Sequence, residues 1–248
     1  MIPRFIQGIG KMNFGGSVKK VCSRLGFTLR RFEFPTDNPI DVLAMLVESR
    51  LRPDFFVLQI GANDGKFDDP AWGTIRKHQL QALLVEPIPT MFKELTANYS
   101  DQPQVTCENC AIAPEDGQIT LYHVRPNPSL PAYVTRVASL KRRVILKQRG
   151  KVPNIGKFIE PISLPAMSLR TLLQKHGIRK VDWLQLDTEG YDFEILKMLW
   201  ATPIRPEIIS FECEHLNRSD KLACAAMLRG SGYDYIGLGR DVIAVRPR

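Results

Sequence analysis

The sequence predicts an α/β protein built on a doubly wound, mostly parallel sheet. Three observations predict it. Short apolar runs stop abruptly at a glycine or an acid, as FFVLQI (55–60) does before Gly61. Stretches long enough for helices separate these runs. The same rhythm returns in the second half, and a hairpin closes the chain. Parallel strands covered on both faces read as continuous apolar runs, and right-handed crossovers join them.

Residues 1–52 read as an N-terminal helical extension or cap, and residues 53–248 as the main domain. In residues 1–34, Ile2, Phe5, Ile6 and Ile9, then Val18, Val21, Cys22 and Leu25, recur at helical spacing on either side of Gly15-Gly16. Lys11, Lys19, Lys20 and Arg24 lie between them. Such a basic amphipathic piece caps its own domain or makes peripheral contact with a membrane. PIDVLAMLVESR (39–50) predicts a helix with Asn38 as N-cap and Pro39 at its first position. FFVLQI, QALLVEP (81–87) and QVTCENCAI (104–112) are the first three strands, with a helix over Met91–Tyr99. Asp116-Gly117 signals a turn, and QITLYHV (118–124) alternates like an added antiparallel strand. Residues 125–157 read as a long loop or lid, a kind of segment that is usually functional or disordered.

KFIEPISL (157–164) returns as a strand, and Ser168–His176 is a helix with Ser168 as N-cap and Gly177 as its stop. VDWLQLD (181–187) and EIISFEC (207–213) are strands. Between them Tyr191–Trp200 is a helix with Phe193, Leu196 and Trp200 on one face. A helix over Asp220–Arg229 precedes YDYIGL (233–238) and DVIAVRP (241–247), a hairpin around Gly239.

Composition narrows the class. The 248 residues are 44% apolar and 24% charged, which excludes a disordered or fibrous chain. No run approaches the ~20 apolar residues of a membrane span, and no leader is read at the start. Five scattered cysteines point to a reducing cytoplasm rather than a disulfide framework. The net charge is +8. Arg136, Lys141, Arg142, Arg143, Lys147, Arg149 and Lys151 fall in one stretch without an acid, which invites an anionic partner.

The chemistry begins with Gly61-Ala62-Asn63-Asp64-Gly65, directly after the first strand. Glycine lets a backbone turn sharply and approach a ligand, and ligands in open α/β sheets sit at the carboxyl ends of strands. Glu86 ends the second strand, where a carboxylate can accept both hydroxyls of a ribose. Loop and acid together specify a nucleoside site. The loop is not GxGxxG, which disfavours pyrophosphate. S-adenosylmethionine has no phosphate and carries a cationic sulfonium, so a loop with Asn63, Asp64 and no nearby cation suits it better than NAD. Asp187-Thr188-Glu189-Gly190 ends the fourth main strand, and FECEHL (211–216) brings Glu212, Glu214 and His215 to the end of the fifth.

On these residues the chain resembles the FkbM family of S-adenosylmethionine-dependent methyltransferases, in order over residues 53–246. The resemblance rests on FVLQIGANDG, LLVEPIP (83–89), NCAIAPEDGQITLY (109–122), SLPAMSLRTLL (163–173) and LQLDTEGYDFEIL (184–196). It implies a Rossmann-like sheet of seven strands with the last antiparallel, and methylation of hydroxyls on sugars, glycolipids or natural products. By resemblance Gly61, Ala62, Asn63, Asp64, Gly65, Glu86 and Pro87 bind the cofactor, Asn109, Cys110 and Ala111 lie near the adenine, and Asp187, Glu189 and Gly190 lie near the transferred methyl. Gln59 departs from the family, which often has Asp there.

The catalytic expectation is Asp187 or His215 as base, with Glu189 beside them and no metal. A cation on Asp187, Glu189 and Glu212 is the variant of that expectation. Cys107 and Cys110 have CxxC spacing but lack a second pair, so zinc is set aside. The expected partner is a small-molecule or glycan acceptor with an anionic group, and oligomeric state is unreadable. The alternatives are a nucleic-acid methyltransferase, disfavoured because an Asn/Asp-Pro-Pro-aromatic tetrad is missing after the fourth strand, and a non-catalytic binding protein using its basic face.

Overall fold

The computed structural model describes residues 41–247. The expectations for residues 1–34, and Asn38 and Pro39 as a helix start, lie outside them. The helix expected over residues 39–50 is described from Val42, with Asp41 as its cap. Helix α1 (Val42–Glu48) opens on the Asp41 carboxylate, which accepts from the Ala44 amide at 2.9 Å.

Then come β1 (Phe56–Ile60), α2 (Trp72–His78), β2 (Gln81–Val85), α3 (Pro89–Asn98) and β3 (Val105–Glu108). A second group follows: β4 (Ala111–Ala113), β5 (Gly117–Val124), β6 (Ala138–Ser139), α4 (Arg142–Leu146) and β7 (Ile159–Ser168). The chain returns through α5 (Leu169–Lys175), β8 (Trp183–Leu186), α6 (Asp192–Trp200), β9 (Ile208–Glu212) and α7 (Arg218–Gly230). It ends in β10 (Asp234–Leu238) and β11 (Asp241–Val245). The capping signals worked as expected at Ser168, whose side chain accepts from the Thr171 amide, while α7 starts earlier than expected on Asn217.

The main sheet has seven strands in the order β10-β11-β9-β8-β1-β2-β3. From β3 to β9 all neighbours are parallel, and β11 runs antiparallel to both β9 and β10. The last strand is therefore the antiparallel one, as the resemblance implied. Successive residues of each strand feed opposite faces. Leu58, Ile60, Leu184 and Leu186 pack with α5, α6 and α7, whereas Val57, Leu84 and Trp183 pack with α1, α2 and α3. Strand order turns back on either side of β1, which leaves a crevice at the carboxyl ends of β1 and β8.

Two expectations need correction. QVTCENCAI is not one strand. Its chain leaves the main sheet after Glu108, where the Asn109 side chain donates to the carbonyls of Glu86 (2.7 Å) and Pro87 (3.1 Å). Its second half, β4, joins a separate sheet ordered β4-β7-β5-β6, and β5 pairs with β7 rather than with the main sheet. Residues 125–157 are not an unstructured lid either. They fold as short helical turns, β6 and α4 around Val134, Ile145, Val152 and Ile155, which pack on Val124 of β5. Among the described residues no helix is long and apolar enough to cross a membrane.

β1 and β8 remain in backbone contact where the crevice opens. Asp187 N donates to Ile60 O at 3.0 Å, and a Cβ at Gly61 would stand 1.9 Å from Asp187 O. Gly61 also has φ +84°, a conformation that costs a residue with a Cβ about 1–2 kcal/mol. Gly61→Ala should therefore destabilise the protein by more than about 2 kcal/mol, since the backbone contact adds to the strain. Gly73→Ala, on α2 with open space around it, should lower the melting temperature little or raise it. Equal melting temperatures for the two variants would refute this.

Candidate active site

A cavity opens at the carboxyl ends of β1, β2 and β8. Gly61, Asn63, Glu86, Pro87, Cys110, Ala111, Asp187 and Glu189 line it, all of them singled out from the sequence.

Glu86 organises one end. Its side chain is buried, and its two oxygens accept from the amides of Asn63 (2.8 Å) and Ile88 (2.8 Å). Burial pushes the carboxyl up to about 7, against the pull of those two amides. Each oxygen keeps a further lone pair for a ligand donor. Asn63 has φ 51°, a left-handed conformation that asparagine tolerates and that turns its amide toward Glu86.

The rest of the glycine loop serves its own structure. Ala62 is buried in the core beside α1, and a Cβ at Gly65 would stand 2.4 Å from Leu95 and 2.7 Å from Tyr99. Asp64 turns away from the cavity and accepts from the amides of Lys66 (3.0 Å) and Phe67 (2.8 Å). It also pairs with Arg136 at 2.6 Å. Burial opposes its ionisation, but those amides and the guanidinium outweigh it and hold the carboxyl below its ordinary value. The expectation of a loop without a nearby cation is thus corrected. Arg136 reaches the loop from the 125–157 lobe, and its Nη1 also donates to Asn63 Oδ1 at 3.2 Å. Asn109 is no wall of the cavity; it secures the loop after β2. Gln59 points away as well, donating to Asp69 at 2.9 Å.

Cys110 lines the cavity, and burial pushes its thiol up to about 12, which makes it an apolar wall and not a nucleophile. Cys107 packs with the opposite face of the sheet, so the CxxC spacing brings no pair together.

The other end of the cavity is acidic. β8 ends at Leu186, and Asp187, Thr188 and Glu189 form its continuing wall. Glu189 and Gly190 both have positive φ. A Cβ at Gly190 would stand 2.9 Å from that of His215, so the two loops touch. The buried Asp192 at the head of α6 accepts from the amides of Thr188 and Gly190, each at 3.3 Å. Burial raises its carboxyl to about 6. Asp187 is reachable by water through the cavity yet closely surrounded. Loss of hydration, and then the carboxylates of Glu189, Asp192 and Glu212, push it well above the usual range. His215 does not line the cavity. It stands behind Glu189, Nε2 to Oε2 at 3.1 Å, and that hydrogen bond raises its basicity.

The lobe contributes three polar residues that the sequence reading did not assign to the site. Ser139 donates to Glu189 O at 2.8 Å, Lys141 Nζ donates to Gly190 O at 3.1 Å, and Arg136 is the one cation among the described lining residues. The signal available was charge alone, and it did not distinguish Arg136 from its basic neighbours.

Three ligand-type groups meet beside the acidic wall. Atoms of Glu189, Glu212 and His215 all lie within 4.8 Å of one another. Asp187, included in the sequence-based cation set, is not among them.

No curated protein matches the chain. Among solved structures, an FkbM methyltransferase from Methylobacillus flagellatus is similar at 12% identity and TM-score 0.46, over 79% of this chain and 45% of that one. The chain thus spans less than half the length of that relative. The fibrillarin of Aeropyrum pernix, solved with natively bound S-adenosyl-L-methionine, is similar at 11% identity and TM-score 0.43, over 82% and 74% of the two chains. A fibrillarin pre-rRNA processing protein from Methanococcus jannaschii is similar at 10% identity and TM-score 0.39, over 78% and 66%. The family model of the methyltransferase FkbM domain matches residues 59–235. That match covers more than half of the sequence, and the chain belongs to the methyltransferase FkbM domain family.

Proposed function

We propose that this protein binds S-adenosylmethionine in the cavity and methylates a hydroxyl oxygen of a sugar, glycolipid or natural product. The observation that carries the reading is the division of charge within one cavity. A buried, amide-held carboxylate, Glu86, lies at one end, two acids lie at the other, and Arg136 is the cation beside the glycine loop. The cofactor has matching parts. Glu86 would accept from its ribose hydroxyls, Arg136 would meet its carboxylate, and the apolar wall of Cys110, Ala111 and Ile112 suits its adenine. Asp187 and Glu189 would face its cationic end.

When bound, the cofactor supplies an electrophilic methyl on a sulfonium that leaves as a neutral thioether. The chain's own work is positioning and proton removal. The glycine loop, the lobe and the loop after β8 hold the reacting groups at the cavity wall, and effective molarities of ~10⁵ M and above set the scale of that contribution. Asp187 lines the cavity and takes the acceptor proton; its raised basicity favours that role. His215 orients Glu189 from behind. Arg142, Arg143, Lys147, Arg149 and Lys151 are exposed on the lobe and favour an acceptor with a carboxylate, phosphate or sulfate. In this reading the protein works in the cytoplasm.

Calorimetry with S-adenosylmethionine tests the cofactor, and a tritiated-methyl screen against sugars, glycolipids and small metabolites tests the transfer. Asp187→Asn should still bind cofactor, though more weakly, and lose ~10²–10⁴ in turnover. An Asp187→Asn, His215→Ala double variant with full turnover would remove the base assignment. Arg136→Ala should weaken cofactor binding by about tenfold or more, as loss of a charge-assisted hydrogen bond does.

Glu86 makes the site pH-dependent, with a definite sign. Its ionised form is the better acceptor, so affinity for the cofactor should rise between about pH 6 and about pH 8. In the free protein the raised carboxyl keeps its proton longer than in the unfolded chain. Its contribution to stability is therefore full below the ordinary carboxylate range and declines as pH climbs to about 7. Glu86→Gln should flatten both dependences and weaken cofactor binding about tenfold. A pH-independent affinity in the unmodified protein would count against the ribose role.

A further inference from the structure

We infer that Glu189, Glu212 and His215 bind a divalent metal ion of the Mn²⁺ class at the acidic rim of the cavity. Their ligand atoms converge within 4.8 Å, from the loop that follows β8, the last residue of β9 and the loop after it. His215 Nε2 stands 3.1 Å from Glu189 Oε2 and 3.6 Å from Glu212 Oε2. Atoms sharing an octahedral ion at about 2.1 Å stand about 3 Å apart, so little movement separates this arrangement from a coordination sphere.

A second observation points to a ligand independently of the acids' number. Glu212 is 9% exposed, and its Oε2 is shut off from solvent with no hydrogen-bond partner. A buried carboxylate oxygen left without a donor is costly. His215 Nε2, at 3.6 Å, is beyond hydrogen-bonding reach of that oxygen. Arg240 approaches only the other oxygen, at 3.8 Å, from a largely exposed position. A cation at the centre of the three groups would satisfy this oxygen and both of its neighbours.

Two carboxylates and one imidazole favour Mn²⁺ over softer cations that prefer thiolates. Binding needs the Nε2 lone pair, so the imidazole proton sits on Nδ1. Lys147, whose ammonium can only donate and lies 3.0 Å from Nδ1, must then turn away, which its exposed position permits. Because Glu189 also lines the cavity, the ion would fix that carboxylate at the acceptor region from behind. The site stands on its own geometry; that role alone rests on the methyl-transfer reading.

The test is a Mn²⁺ titration of the full chain followed by electron paramagnetic resonance, without cofactor. One saturable Mn²⁺ per chain is expected, weakened at least about tenfold in Glu212→Gln and in His215→Ala. Glu212→Gln removes a crowded charge and should remain folded, so its melting temperature is measured in parallel. Mn²⁺ should raise the melting temperature of the unmodified protein and leave that of Glu212→Gln unmoved. Non-saturable binding, or affinities within twofold across the three proteins, would overturn the site. Calorimetry with S-adenosylmethionine on the same sample separates the two claims. Saturable Mn²⁺ without cofactor binding supports the site and overturns the proposed function; cofactor binding without saturable Mn²⁺ overturns the site alone.

Discussion

One buried carboxylate holds the carboxyl edge of this sheet together. Glu86 accepts from the amide of Asn63 in the loop after β1 and from that of Ile88 in the loop after β2. Its own carbonyl, with that of Pro87, receives the Asn109 side chain from the end of β3. Three consecutive strands are thus tied at the point where the cavity opens. Satisfying a buried carboxylate with backbone amides is costly to rearrange, because each amide would otherwise be left unpaired. The loops are therefore fixed in advance of any ligand, and Glu86 is both the tie and the acceptor presented to the cavity.

Much of this was legible in the residues. Apolar runs ending at Gly61, Glu86 and Asp187 located the strands of the crevice, because a parallel strand buried on both faces leaves a continuous apolar signature. Gly61 and Asn63 were legible for a backbone reason: the first lies against Asp187 O, and the second adopts a left-handed turn. What the pattern could not supply was a break inside an apolar run. QVTCENCAI reads as one strand because the departure after Glu108 depends on a hydrogen bond from Asn109 to residues more than twenty positions earlier. Tertiary contacts of that kind leave no periodicity.

The 125–157 lobe was illegible for a related reason. Its prolines and basic residues read as a loop, yet Val134, Ile145, Val152 and Ile155 form a small core too widely spaced to register as a periodic element. The lobe matters because it brings Arg136 to Asn63 and Asp64 and brings Ser139 and Lys141 to the carbonyls of Glu189 and Gly190. It grips both loops of the crevice, one through side chains and the other through the backbone. Net charge announced a basic segment but not that one arginine of it belongs to the cavity while its neighbours face solvent.

Asp64 and Asp187 make the clearest contrast in the molecule. Both follow main-sheet strands at the carboxyl edge, and both are crowded by protein. Asp64 receives two amides and a guanidinium, so its charge is neutralised inside the fold and its carboxyl stays easily ionised. Asp187 loses hydration and also meets three other carboxylates, so its proton is held more tightly. A fold gains nothing in stability from leaving like charges together. The acids that are neutralised in this chain secure loops; those left facing one another are the ones available to a cationic ligand. On that distinction Asp64, which the glycine loop brings to notice first, secures the loop, and the proposed reaction draws on the acids across the cavity.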